Sequence, residues 1–477
     1  MKQLFLLLSL LATTHLTGFA YEKPTKAELL QIGLPVLQIE TVNHEEPTYE
    51  EANPPEGCIG AGIKNATKVP GRVIIETLEQ GIIFDSGEYE SKKSGMTVKV
   101  RGNTSARYNP KKPYKIKLEK KNDMLCSGND LYKDKNWLLL RVDNLNTVIG
   151  LKTSELLNMQ WTPRYEFVNV VFNDDYRGLY LLIEAVERNT DCRLNVDKST
   201  GFVAELDAYW WNEDFSIPSE LYGPELAYTF KYPDAEDMTP EQTDYYKTTL
   251  QAFEQLLQAG GYADIIDQES FAKWVLAMDI LGNIDSAGTN LYISKYDDSS
   301  SSLLTIDCLW DFDNILKSED YWSQNHTHYI FKNLFYGKDN SFSKSYVKLW
   351  EEKGTSTIEQ LMAFINSFAA STLAEAINAS NDLDYKRWNI QRTNVAEYVE
   401  MAKEYIAKQG VWLKENIAEM ALKLTDETTT ELSTLNKENG NTLPYVYSVN
   451  GIRHNSSLPM AKQRRHVYIV NGKKTIK

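Results

Sequence analysis

The sequence predicts an α+β protein of two lobes, a β-rich one followed by an α-rich one, with a small β module behind them. Three observations predict it. From Gly71 to Leu118 apolar residues recur at every second position in "RVIIETL", "GIIFDSG", "MTVKVRG" and "YKIKLE", the period of strands that bury one face. After Gln242 the period lengthens to that of amphipathic helices, in "YYKTTLQAFEQLLQA", "ESFAKWVLAMDILGNI" and "STIEQLMAFINSFAASTLAEAI". Near the end, "LPYVYSVNG" and "RRHVYIVNGKKTIK" each reach an Asn-Gly, the dipeptide best suited to tight hairpin turns.

Taken in order, residues 1–20 have a basic start at Lys2, an apolar run from Leu4 to Ala12 and small residues Gly18 and Ala20, the pattern of a secretory signal cleaved after Ala20. The run falls short of the ~20 residues a spanning helix needs, and no later segment is long enough. Residues 21–33 read as a linker. The β-rich lobe is placed at 34–185, opening on "LPVLQIET" and including "NWLLLRV", a helical stretch around Leu151 to Met159, and the hairpin "YEFVNVVFNDDYRGLYLLIEAVE" about an Asn-Asp-Asp turn. The α-rich lobe is placed at 186–425; within it a serine run at 299–302 turns a hairpin between "LYISKY" and "LLTIDCLW". "DETTT" and "NKENGNT" mark a linker at 426–442 before the β module at 443–477.

Composition narrows the partners. The formal charge is −15, yet residues 441–477 hold seven Lys or Arg and no acid, so everything before them carries −15 − 7 = −22. An acidic body repels nucleic acid and anionic lipid, which excludes both as expected partners. Export, to the periplasm, cell surface or medium, permits disulfides. Cys58, Cys126, Cys192 and Cys308 allow three pairings, and four free thiols are an equal alternative in a chain large enough to fold without staples.

Few histidines are available for a nucleophile–base pair. Outside the leader and tail only His44, His326 and His328 remain, and none has a nucleophile setting. The chemistry-bearing set is acidic: Asp285 and Asn290 in "DSAGTNLYIS", then Asp311 and Asp313 in "LWDFDNIL". A hydrolase carboxylate pair, a structural metal loop and a phosphoryl-transfer site could each own such a set, and "WDFD" alone is also what a helix-capping turn looks like. In protein kinases an Asp, four residues and an Asn form the catalytic loop, and a metal-binding Asp follows on the next hairpin. On that reading Asp285 is the base, Asn290 and Asp311 hold the metal, and Asp313 shares it. Magnesium or manganese fits, because hard ions take oxygen ligands, usually one or two carboxylates with phosphates. Phosphate-binding cations are expected on "VRGNTSARYNPKKPYKIKLEKK", where Arg101, Lys111 and Lys112 border a loop. Strand alternation there sets Lys115 and Lys117 opposite Tyr114, Ile116 and Leu118. The alternative for this stretch is a solvated basic edge strand.

The segments "RGNTSARYNPKKPYKIKL", "NWLLL", "YRGLYLLIEAVER", "GFVAELD", "FKYPDAEDMT", "GNIDSAGTNLYI" and "LWDFDNIL", in this order, resemble the CotH kinase-like proteins, named for spore coat protein H, from about Leu34 to Leu424. The resemblance implies a divergent two-lobed protein-kinase-like fold, use of ATP with a divalent metal, and phosphorylation of Ser or Thr in a protein acceptor, often outside the cytoplasm. It further implies Asp285 as base, Asp311 as metal ligand and "LLIEAV" as the strand entering the adenine-facing hinge, around Glu184. The chain departs from the family where an Arg-Asn pair usually opens the helix after "NWLLL": Gly150 and Leu151 stand there, which leaves that helix's role open. It has no Gly-rich phosphate loop beyond "GAG" at 60–62, and the "RGNTSAR" loop is the expected substitute. The last segment is similar to the C-terminal sorting modules of proteins exported by the type IX secretion route, implying contact with export machinery. A non-catalytic cell-surface binding or adhesion protein on the same scaffold, or a nucleotidyl transferase using the same site, are the rival readings.

Overall fold

The computed structural model describes residues 21–285, 287–317, 322, 324–390, 394–438, 446–448, 453–454, 467–470 and 473–476; the expected leader lies outside the described residues. The chain opens on α1 (Lys26–Gln31), so part of the expected linker 21–33 is helical. Thr25 caps it: the threonine hydroxyl accepts from the Glu28 amide, and Glu28 accepts in return from the Thr25 amide at 2.7 Å, a reciprocal cap that satisfies two otherwise orphaned donors.

The N-terminal strands close into a barrel. β1 (Val36–Thr41) is followed by a short hairpin of β2 (Glu50–Ala52) and β3 (Gly62–Lys64), then by β4 (Val69–Thr77), β5 (Gly81–Asp85) and β6 (Met96–Val100). After α2 (Thr104–Tyr108) come β7 (Tyr114–Asn122) and β8 (Asp134–Arg141); α3 (Asn146–Leu156) leads to β9 (Tyr165–Phe172) and β10 (Asp175–Glu184). The sheet runs β1-β9-β10-β8-β7-β6-β4-β5, and β1 pairs with β4 as well as with β9, which closes the ring and leaves β5 outside it. Closure removes the free edges that an open sheet of this size would expose.

Two of the strand runs are buried on both faces. Trp137, Leu139, Tyr180 and Leu182 point into the barrel, while Leu138, Leu181 and Ile183 point outward into a core shared with the helices. That double burial is why "NWLLL" and "LYLLI" are unbroken apolar runs rather than alternating ones. In β7 the alternation is clean, with Tyr114, Ile116 and Leu118 inside and Lys115 and Lys117 outside.

Beyond the barrel the chain forms a second sheet before it becomes helical. β11 (Phe202–Asp207), β12 (Ile217–Pro218) and β13 (Ala227–Tyr232) precede α4 (Pro240–Ala259) and α5 (Gln268–Leu281), and then β14 (Leu291–Lys295) and β15 (Leu304–Thr305) complete the order β12-β13-β11-β14-β15. The stretch from 186, expected to be α-rich, thus contributes five strands. α6 (Tyr329–Tyr336), α7 (Ser341–Leu349), α8 (Thr355–Ala369), α9 (Thr372–Trp388) and α10 (Val395–Glu438) follow. α10 carries helical backbone through 426–438, expected as linker, because extending an established helix adds a hydrogen bond for each residue fixed. Past it, β16 (Val446–Ser448), β17 (Arg453–His454), β18 (Val467–Val470) and β19 (Lys473–Ile476) form a four-stranded sheet. The four cysteines are unpaired. Among the described residues no helix is long and apolar enough to cross a membrane.

Candidate active site

A cavity of about 1030 Å³ lies between the barrel and the second sheet, and Asp285, Asn290, Asp311, Asp313 and Arg101 all line it. Two loops carry the acidic set. α5 stops at Gly282, whose left-handed φ of 57° suits a residue without a Cβ. The buried Asn283 then ties the loops together: its side-chain oxygen accepts from the Asp285 amide at 3.0 Å, and its Nδ2 donates to the Asp311 carbonyl at 3.3 Å. Asn314 Nδ2 donates to Asp285 Oδ2 at 3.0 Å, and Asn290 Nδ2 donates to Asp311 Oδ2 at 3.1 Å. Asn290 and Asp311 each have φ of 59°, the left-handed region that Asn and Asp tolerate best among residues with a Cβ. Strain of this kind collects at functional sites, where surrounding bonds hold it in place.

The phenylalanine between the two aspartates is their anchor. Phe312 is buried, and it packs against α3 at Gly150, where an added Cβ would stand 2.1 Å from Phe312 Cδ1. Asn146 on the same helix donates from Nδ2 to the Asp313 carbonyl at 3.2 Å and is itself held by the Tyr398 hydroxyl of α10. Gly150 and Leu151 therefore sit inside α3, not at its start, and Gly150 makes room for the ring that fixes Asp311 and Asp313. Among the described residues no helix begins at this turn, so its aspartates cap none of the described helices.

Water reaches Asp311 and Asp313, but the enclosing walls displace enough of it to raise both carboxyls. Asp311 is pushed up to about 7 by that desolvation and then by the charge of Asp313, against the pull of Arg101. Asp313 is raised by desolvation and by Asp143, against Arg141 and Arg101. A divalent ion would relieve this repulsion. Among the described residues no three His, Cys, Asp or Glu side chains form a ready metal cage, so the ion would be held by Asp311, Asp313 and the Asn290 amide oxygen together with phosphates, the pattern usual for magnesium.

The expected cations divide. Arg101 lines the cavity beside Gly102, Asn103, Thr104 and Ser105 of the "RGNTSAR" loop, and Lys115 lines it while pairing with Glu187 at 2.7 Å. Lys111 does not reach the cavity. Its side chain is 1% exposed, donates to the Leu179 carbonyl at 2.5 Å and forms an ion pair with Asp384 of α9, so it fastens the barrel to the helices. Lys112 is also elsewhere, donating to the Ala106 carbonyl at 2.7 Å over the Tyr49 ring. Glu184, expected at a hinge, is fully buried and bound by Arg164, whose amide donates to Oε2 at 2.9 Å and whose Nη2 donates to Oε1 at 2.8 Å. A loop lysine and a strand-end glutamate look alike in sequence whether they face a ligand or a buried partner.

Other cavity-lining residues escaped the sequence reading. Lys99 and Arg141 come from the barrel; Glu205, Asp207 and Lys231 come from the second sheet. The available signal was two acids at alternate positions of the apolar strand "GFVAELD", which puts both on one face of a buried sheet. Asp207 is raised to about 7 by burial and then by Glu205, against Lys231. Burial works to lower the Lys231 ammonium, but Glu205, Glu213 and Asp207 outweigh it and hold it above the usual lysine range. His326 is structural: its Nε2 meets Asp279 at 2.6 Å, and its ring stacks on Trp322 and Phe335.

A search of curated proteins returned no match. The profile described as CotH kinase protein matches residues 98–413, which takes in the cavity's acidic loops, the basic strand and more than half of the 477 residues. The chain belongs to the CotH kinase family.

Proposed function

We propose that the chain is an atypical protein kinase that transfers phosphoryl from ATP, with Mg²⁺ or Mn²⁺, to Ser or Thr of a protein acceptor. The two lobes of its divergent kinase-like fold are the barrel and the second sheet with its helices. The observation that carries this reading is the convergence of Asp285, Asn290, Asp311 and Asp313 on one cavity whose facing wall brings Arg101 and Lys115. Phosphoryl transfer needs positioning and charge stabilisation more than covalent chemistry, and these residues supply both. Asp285 accepts the proton of the acceptor hydroxyl. One of its oxygens is fixed by Asn314, which sets the orientation of the other. Arg101 and Lys115 hold phosphate oxygens, and the lysine is steadied by Glu187. The divalent ion, when bound, neutralises the phosphates' charge as it shifts toward the leaving group.

The leader pattern in residues 1–20 supports export, and the terminal β strands fit a sorting module that meets export machinery. The deciding experiment incubates the purified mature chain with Mg²⁺ or Mn²⁺ and ATP labelled separately at the α and γ phosphates. Acceptor label from the γ phosphate alone is the expected result. Label from the α phosphate would mean nucleotidyl transfer, and none from either would favour a binding protein.

A further inference from the structure

Glu205 sits in the middle strand of the second sheet with a client on each side. On β11 it is registered against Thr229 of β13 and Tyr292 of β14. Lys231 lies two residues past Thr229, and Asn290 lies two residues before Tyr292, so both are diagonal neighbours within reach of one side chain. The contacts are made: Glu205 Oε1 accepts from the Asn290 backbone amide at 2.9 Å, and Oε2 pairs with Lys231 Nζ at 2.8 Å. The carboxylate is the hidden partner, its side chain 6% exposed against 29% for the lysine, which lines the cavity in front of it.

We infer that Glu205 is a positioning residue that sets two functional groups at once, the metal-facing amide of Asn290 and a phosphate-binding ammonium on Lys231. The inference rests on the kinase reading and adds to it a cation on the acidic wall, recognising the phosphate oxygens of a nucleoside triphosphate. Asn290 needs an external hold because its left-handed backbone is not self-stabilising. With its amide fixed by Glu205 and its Nδ2 spent on Asp311, its Oδ1 is the atom left to meet a cation. Lys231 needs a hold because Asp207 and Glu213 also attract it. A pair that served only stability would not require the carboxylate's second oxygen to be committed to the loop that bears the metal ligand.

The test titrates ATP calorimetrically into the mature chain at stepped Mg²⁺ concentrations, alongside thermal unfolding without ligand. Wild type is expected to bind ATP only with Mg²⁺; if it does not, the kinase reading falls and this inference with it. Glu205→Gln is expected to weaken ATP binding and to move the Mg²⁺ midpoint upward, each by about tenfold, the size usual for losing a residue that orients a ligand. Lys231→Met is expected to weaken ATP binding without raising the Mg²⁺ midpoint. The double variant Glu205→Gln/Lys231→Met removes both charges, so its unfolding temperature should recover toward wild type, while ATP affinity and the Mg²⁺ midpoint stay impaired. This variant decides the matter if Glu205→Gln alone does not fold. Wild-type ATP affinity and Mg²⁺ midpoint in the double variant would overturn the inference and leave the kinase reading standing.

Discussion

The two walls of the cavity carry opposite charge and are built in opposite ways. The barrel wall presents Lys99, Arg101, Lys115 and Arg141, drawn from the consecutive neighbouring strands β6, β7 and β8 and the loop after β6. The facing wall presents Asp285, Asp311 and Asp313 from two loops laced together by Asn283, Asn290 and Asn314, with Glu205 and Asp207 behind them. Each wall is strained by its own charge. Lys99 is lowered first by burial and then by Lys115 and Lys68, while Asp311 is raised by desolvation and Asp313. A cavity that concentrates both signs without letting them cancel is suited to a ligand carrying both, such as a phosphate chain with a divalent ion. The cavity's cationic and acidic faces thus come from separate parts of the fold, with Lys231 the cation set among the acids.

The sharpest break is between chemistry and binding on the acidic wall. Asp285→Asn should lower turnover by about 10²–10⁴-fold while Mg²⁺-dependent ATP affinity stays near wild type, as measured by γ-phosphate transfer and calorimetry. A matching loss of ATP binding would make Asp285 a structural member of the loop.

In the barrel the cut is between two lysines four residues apart, Lys115 on the cavity wall and Lys111 buried away from it. Lys111→Met strands the buried Asp384 carboxylate and should cost about 3–5 kcal/mol in denaturant unfolding. ATP affinity of the folded fraction should not change. Unaltered stability would show that the barrel is not fastened to α9 through this pair.

Asp311→Asn should reduce Mg²⁺ affinity by about 10–100-fold, and its pH behaviour has a definite sign. Because the folded carboxyl is raised to about 7 above an unfolded value near 3.9, its charge opposes folding. The penalty is complete above about pH 7 and absent below the unfolded value. The variant should therefore unfold at a higher temperature than wild type above pH 7, with the gap closing as pH falls. Mg²⁺-dependent binding by wild type should weaken as pH drops through about 7. A gap that widened toward acid would mean that Asp311 is not raised.

The smallest effects are expected from the barrel cations that line the cavity and are proposed to meet phosphate. Arg101→Met and Lys115→Met should each weaken ATP binding by roughly tenfold, with unfolding shifted by no more than ~1 kcal/mol, since partly exposed ion pairs add little stability. Equal ATP affinity in both variants would place the phosphates on the Lys231 side alone.

How much of this was legible varied with locality. The acidic set could be read because its members are close in sequence and its spacing repeats a known catalytic loop; the hairpin between Asn290 and Asp311 brings its two halves together. The basic set could be read only as a stretch. Arg101 and Lys115 reach the cavity, whereas Lys111 and Lys112 lie between them in sequence and go elsewhere, because Asp384 is 273 residues from Lys111 and invisible from it. The strand "LLIEAV" was recognisable, but not that Arg164 would claim its glutamate.

The sequence by itself determined the periodic elements, the charge balance, the family and the pairing of Asp285 with "WDFD", since each depends on residues near one another or on totals. The tertiary structure decided that the strands close into a barrel and that a second sheet opens the other half. It also decided which lysines face the cavity and that Gly150 seats Phe312 between the two aspartates. Those outcomes depend on burial and on partners distant in the chain, and a side chain's charge has the same letter whether it meets solvent, a ligand or a buried counter-ion.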